Sequence, residues 1–133
     1  MNRPQARVVA LIIGTLVFAL IFALGTFWMR HVCMPWEVHI FRWECEIGLW
    51  FPTLAALLGG AVAGATARSF GFLLGFGVPL LGFALLLPTT LLHGWYGDDL
   101  MMAGQYALLR CFLPAAFAGW LSHIAINWRR HAL

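Results

Sequence analysis

Residues that could carry chemistry concentrate in one stretch, "RHVCMPWEVHIFRWECE", at positions 30–46. It contains two of the three cysteines, two of the five histidines and three of the five acidic residues. Sulfur and imidazole groups are ligands that copper prefers, and His31 and Cys33, with His93 further along the chain, are weak candidates for a metal site. Their spacing matches no defined ligand pattern. We therefore predict neither a metal centre nor a cofactor.

The three cysteines, Cys33, Cys45 and Cys111, suggest a disulfide as a second possibility. A straight helix would separate Cys33 from Cys45 by roughly 18 Å, whereas a disulfide requires α-carbons within about 7 Å. Either the segment folds back to join these two, or one of them pairs with Cys111, or all three are free thiols. A thiol oxidase is disfavoured, because such enzymes use a Cys-x-x-Cys pair and the chain has none.

The same stretch also has the pattern of an amphipathic helix. Proline at position 35 suits the first turn of a helix, and large apolar residues then recur at intervals of four, three and four: Trp36, Ile40, Trp43 and Ile47. Most charged residues lie off this stripe. We predict an amphipathic segment over residues 35–47 that lies in a membrane interface, with a tight loop as the alternative.

Composition requires a lipid environment for the elements that position these residues. Hydrophobic residues make up 62% of the 133 positions, charged residues 10%, and the mean hydropathy is +0.87. A soluble domain carries about 25% charged residues, so the predicted partner of this surface is the lipid bilayer. Nucleic acid is excluded as a partner, because the arginines are spread along the chain.

Four apolar windows reach the roughly 20 residues needed to cross a bilayer. They cover residues 8–28, 49–67, 70–92 and 109–128. The first is too long for the apolar part of a signal peptide and no cleavage site follows it. We predict an all-α polytopic membrane protein, with residues 1–133 forming one domain of four transmembrane helices.

Charge asymmetry predicts the orientation of this domain. Five arginines without an acid fall on one side: Arg3, Arg7, Arg68, Arg129 and Arg130. The other side receives three arginines and all five acids. The positive-inside rule therefore places both termini in the cytoplasm, and small size with arginine-only basicity favours a bacterial inner membrane.

Glycines indicate where the helices touch. Gly60 and Gly64 are four apart in the second span, and Gly71 and Gly75 repeat that spacing in the third. Small residues at this interval let helix backbones approach closely in lipid. We predict that they pack the hairpin of spans two and three, since only "RS" separates those spans; a homodimer seam is the alternative.

Polar residues near the ends of the spans are candidates for partner binding. Arg110 is the most informative charge, with Asp98 and Asp99 as its predicted ion-pair partners. The whole candidate set is Arg110, Asp98, Asp99, Trp36, Trp43 and Trp95. His123 is a polar residue inside the fourth span, and such residues are functional candidates.

These observations lead to a predicted function and two alternatives. No lysine exists, and no carboxylate lies deep in a span, although proton- or sodium-coupled transporters usually keep an ionisable group there. We predict a small non-enzymatic accessory, assembly or immunity-type subunit that binds a partner membrane protein. The alternatives are a homo-oligomeric channel or facilitative transporter, and an extracytoplasmic thiol-redox or copper-handling membrane protein.

Overall fold

The structure, a computed structural model, describes residues 2–28, 31, 43–67, 69–92 and 108–133. Throughout these ranges the regular structure is helical and contains no strand. The elements are α1 (Arg3–Trp28), α2 (Trp43–Thr66), α3 (Gly71–Leu92) and α4 (Leu113–Ala132), and a π-helical turn, Leu108–Phe112, leads directly into α4. The prediction of an all-α chain with four helices is confirmed.

The helices alternate in direction. Gly14 of α1 packs on Gly59 of α2, whereas Gly25 packs on Phe51, so α1 and α2 are antiparallel. The α2–α3 hairpin lies in the middle: α1 packs on one side of it and α4 on the other, and α1 does not contact α4 within the described ranges. We call the end with both chain termini and the α2–α3 link the terminal end, and the opposite end the loop end.

Helix α2 begins earlier than the sequence predicted. It starts at Trp43 rather than at residue 49, so residues 43–47 of the predicted interfacial segment belong to the same helix as the second span. The apolar stripe explains the continuity, because Trp43 and Ile47 are in phase with Trp50 and Leu54 at intervals of four, three and four. The predicted segment 35–47 therefore overlaps α2 at residues 43–47, residues 35–42 lie outside the described residues, and its interfacial position stays a prediction.

The π-helical turn before α4 has a local cause. Pro114 occupies the first turn of α4, where its missing N–H costs little. Its ring would nevertheless clash with the carbonyl four residues earlier, that of Arg110, in a regular helix. A wider π turn relieves this clash, so the chain stays helical from Leu108 onward.

Small residues are buried and large apolar residues are exposed, which reverses the distribution of side-chain size in a water-soluble protein. The buried positions are mostly alanines and glycines, such as Ala55, Ala56 and Ala63, which are fully buried. Large apolar residues point outward on all four helices; Leu20 and Leu73 are more than 60% exposed. Two helical stretches, Arg3–Trp28 and Leu109–Ala132, are long and apolar enough to cross a membrane, and α2 and α3 contain the shorter apolar segments Trp50–Thr66 and Gly71–Leu86.

An aromatic cluster centred on Phe18 packs between α1 and α3. Phe18 of α1 is fully buried. Its ring stacks on Phe22 at 5.6 Å and meets the edge of Phe83 at 5.4 Å between centroids. Phe112 extends the cluster from the π-helical turn, 6.1 Å from Phe83. This cluster ties α1 to α3 toward the loop end.

Candidate functional site

The four glycines singled out in the sequence all face α4. A Cβ atom on Gly60 or Gly75 would overlap the Ala115 carbonyl oxygen, and one on Gly64 would overlap that of Gly119. A Cβ on Gly71 would lie 2.5 Å from the same Gly119 oxygen. These glycines therefore let α2 and α3 contact the α4 backbone. They do not join α2 to α3, as the sequence had suggested, and the face proposed as a homodimer seam is occupied within the chain.

A second glycine contact, missed by the sequence reasoning, joins α1 to the hairpin. A Cβ on Gly14 would lie 2.7 Å from the Gly59 carbonyl oxygen and 2.8 Å from the Ala63 Cβ. Gly119 of α4 was missed as well. The only signal in the sequence is that small residues cluster near each of them, and such clusters do not reveal which helix they face.

At the loop end, Arg110 is half-buried in the π-helical turn. Its guanidinium carbon lies 5.2 Å from the centre of the Trp50 ring, a cation–π distance. This contact joins the start of the fourth helical stretch to α2. Trp43, another predicted partner-binding residue, is the first residue of α2. The remaining candidates lie outside the described residues: Asp98, Asp99, Trp36 and Trp95.

Cys111 follows Arg110 and is buried as a free thiol. Its Sγ donates to the backbone oxygen of Pro52 at 3.6 Å. The predicted option of a bridge from Cys111 to an outer cysteine is therefore not supported. Cys45 lies in the first turn of α2, and Cys33 is outside the described residues, so a Cys33–Cys45 bridge stays a prediction.

The two histidines that the structure describes among the candidates have local partners. The His31 ring is exposed and lies 4.2 Å from the Phe27 ring. His123 Nε2 is 3.0 Å from Asn127 Nδ2, a hydrogen bond within one turn of α4. Among the described side chains, no three potential ligands come together as a metal site would require; His93 lies outside them.

The terminal end contains a polar contact that the sequence did not predict. The Arg7 Nε of α1 donates a hydrogen bond to Ser69 Oγ in the α2–α3 link at 2.9 Å. The guanidinium also covers the Phe70 ring, with its carbon 4.4 Å from the ring centre. Phe70 has a φ of 60°, in the left-handed region. Arg7 therefore clamps the tight link to α1.

Further basic residues lie at the terminal end. Arg3, Arg129 and Arg130 are exposed at the same end, and Arg129 and Arg130 lie in the last turn of α4. The sequence has no acid between positions 47 and 97 or after position 99. The charged side chains that the structure describes at the terminal end are therefore all arginines, and we call them the basic rim.

The outward face of α4 is aromatic. Phe117 and Trp120 are about half exposed, with ring centres 6.1 Å apart. Together with Phe72 of α3 and Leu113 they line a shallow apolar groove between α3 and α4.

Comparison with protein-family models, curated proteins and solved structures finds no match to this chain.

Proposed function

We propose that this chain is an integral membrane protein whose four helices cross the bilayer, with the terminal end in the cytoplasm. The reversed distribution of side-chain size is the observation that carries this proposal. In lipid, helices associate through small residues that permit close backbone contact, and large apolar residues face the acyl chains. The Gly60–Ala115 and Gly64–Gly119 contacts, with Leu20 and Leu73 outside, follow that pattern.

Water would be a poor solvent for this surface. Burying one leucine side chain is worth about 1.5–3 kcal/mol, and α1 alone exposes Leu16, Leu20 and Leu24 by more than half. The basic rim supports the orientation, because arginine-rich ends remain in the cytoplasm. A bacterial inner membrane fits a chain of this size.

We propose further that the chain acts as a non-enzymatic accessory, assembly or immunity-type subunit that binds another membrane protein. The bundle axis is filled by direct contact between α4 and the central hairpin, at Ala115 and Gly119. Action on another molecule is therefore expected at the outer surface. The α4 groove offers exposed aromatic rings, which are enriched at protein interfaces.

The alternatives receive less support. A homo-oligomeric channel would need a new seam, since the glycines on which it depended pack within the chain. For a thiol-redox role, Cys111 is disfavoured as the reactive residue, because it is 1% exposed and reactive thiols lie in partially exposed, electropositive surroundings; the side chains of Cys33 and Cys45 lie outside the described residues.

Gentle extraction from the host membrane followed by native mass spectrometry tests the partner proposal. The wild-type chain should co-extract with a larger membrane protein in a fixed ratio. Phe117→Ala combined with Trp120→Ala should lose that protein, because the aromatic side of the groove is removed. Leu16→Ala combined with Leu20→Ala is the matched control, since it trims two equally exposed residues on α1; the partner should remain bound.

Two results would contradict the proposal. One is a chain that extracts alone, as a monomer or homo-oligomer, and supports solute flux or turnover in liposomes. The other is equal loss of the partner in the α1 and α4 variants, which would show that no particular face is used.

A further inference from the structure

We infer that Arg7 and Arg3 form a binding site for the phosphate group of an anionic phospholipid at the terminal end. The inference rests on the proposed membrane location and not on the proposed partner binding. It starts from the way Arg7 is held. Of its five N–H donors, only the one on Nε is used within the described residues, by Ser69 Oγ at 2.9 Å.

The guanidinium plane is fixed from a second direction. The Phe70 ring covers one face of it, 4.4 Å from the guanidinium carbon. The backbone at Phe70, with φ 60°, suits glycine better than phenylalanine; what phenylalanine adds at this position is the ring. Arg7 is thus held by an oxygen and an aromatic face, and its two Nη groups keep four N–H donors, of which the two at the far end of the guanidinium are parallel and form a fork.

Such a fork matches the geometry of phosphate oxygens. Paired N–H groups of arginine bind phosphate through two parallel hydrogen bonds, and a fork already held in place loses less side-chain freedom on binding. Arg3 lies four residues earlier on the same helix, so both arginines share one face of α1. It is exposed and forms no hydrogen bond, ion pair or ring contact with a described residue, which leaves its charge available to the same phosphate.

The neighbouring surface favours a lipid over free phosphate. Val8, directly after Arg7, and Phe70, whose ring lies against the guanidinium, are more than half exposed. Both are apolar; Val8 lies on α1 and Phe70 in the link that the clamp joins to it. A phospholipid whose phosphate rests on Arg7 can lay its acyl chains along these side chains, whereas inorganic phosphate gains nothing from them.

The test is a lipid titration followed by native mass spectrometry on the purified full chain in detergent. Phosphatidylglycerol should bind more tightly than phosphatidylcholine, whose choline competes for the phosphate charge. Arg7→Gln should weaken the first bound phosphatidylglycerol about tenfold, as expected for one charge-assisted contact. Inorganic phosphate should not displace this lipid.

Two further variants separate the site from folding and from general charge. Arg3→Gln should weaken the same lipid about threefold, a fraction of one charge-assisted bond. It leaves the clamp on the hairpin in place, because Arg3 is exposed and no hydrogen bond or ring contact joins it to the described part of the hairpin. Arg129→Gln removes the same charge at the same end, but on α4, which does not contact α1. It should leave the first phosphatidylglycerol unchanged.

Equal weakening by Arg7→Gln and Arg129→Gln would overturn the inference, because it would indicate diffuse charge attraction. Equal affinity for the two lipids, or displacement by inorganic phosphate, would overturn it as well. These failures leave the proposed function intact, since that function is tested by partner co-extraction. A chain that stays in the aqueous phase without detergent would overturn both.

Discussion

Exchanging glycine for alanine at two positions of the bundle gives the sharpest prediction about its packing. At Gly14 a new Cβ would meet the Gly59 oxygen at 2.7 Å, the Ala63 Cβ at 2.8 Å and the Val78 Cγ2 at 2.9 Å. At Gly77 its nearest neighbour would be the end of the Leu11 side chain, at 3.1 Å. The chemical change is the same at both positions, and both lie within helices.

The difference in stability follows from these distances. Two carbons pack best at about 3.5–4.0 Å, so α1 must move about 0.7 Å away from the hairpin to accept Gly14→Ala. Overpacking of this kind costs about 1–3 kcal/mol. The gain in helix propensity, about 1 kcal/mol, applies equally at both positions and cancels in the comparison. Gly14→Ala should therefore be about 2 kcal/mol less stable than Gly77→Ala.

Unfolding in mixed micelles, driven by added sodium dodecyl sulfate and followed by circular dichroism, measures this difference. Gly77→Ala should match or slightly exceed the wild-type free energy of unfolding, since only a flexible leucine tip must give way. If Gly14→Ala proves as stable as Gly77→Ala, the close approach of α1 to α2 and α3 does not exist and the packing described above is incorrect.

Three further predictions concern single side chains. Phe18→Ala should lower the free energy of unfolding by about 3 kcal/mol, because it empties the centre of the aromatic cluster. Leu20→Ala on the exposed face should change that free energy by less than about 0.5 kcal/mol. Detergent unfolding compares the two variants, and equal losses would contradict the assignment of Phe18 to the interior and Leu20 to the surface. Thr15→Val should raise it by about 1 kcal/mol, because the buried Thr15 hydroxyl has no hydrogen-bond partner among the described residues; a destabilised valine variant would show that the hydroxyl is bonded. Cys111 should react with maleimide only after unfolding, because it is 1% exposed; rapid labelling of the folded chain, read by intact mass, would refute its burial.

The order and approximate extent of the helices could be predicted from sequence because hydropathy depends only on local composition. The third window, residues 70–92, differs from α3 by one residue at its start. Helix α2 begins six residues before the second window, at Trp43, although its apolar segment, Trp50–Thr66, agrees with that window. Trp43 and Ile47 were assigned to an interfacial segment, although their spacing continues into Trp50 of the same helix.

The partners of the glycines could not be predicted for a physical reason. A small-residue ridge indicates that another backbone approaches closely, but any of three other helices satisfies that requirement. Gly60 and Gly71 were assigned to each other's helices because the link between those helices is short. The structure instead packs both on α4. The short link correctly predicted that α2 and α3 form a hairpin, but it did not predict that these glycines contact α4.

The clamp formed by Arg7, Ser69 and Phe70 was missed because no spacing or motif in the sequence connects these three residues. Arg7 was counted as an orientation charge, and Ser69 was treated as half of a two-residue linker. Only the antiparallel arrangement brings positions 62 residues apart within 2.9 Å. The candidates at Asp98, Asp99, Trp36 and Trp95 lie outside the described residues, and their predicted roles stay predictions.

We expect the large exposed side chains of the four helices to face lipid. A nitroxide attached at Leu16, half-way along α1, in a variant without the native cysteines tests it most directly, by electron paramagnetic resonance in liposomes. Dissolved oxygen should relax this label strongly and a water-soluble nickel chelate should not, with the reverse for a label at Leu133. Strong relaxation by the nickel chelate at Leu16 would contradict the membrane location and the functions proposed from it.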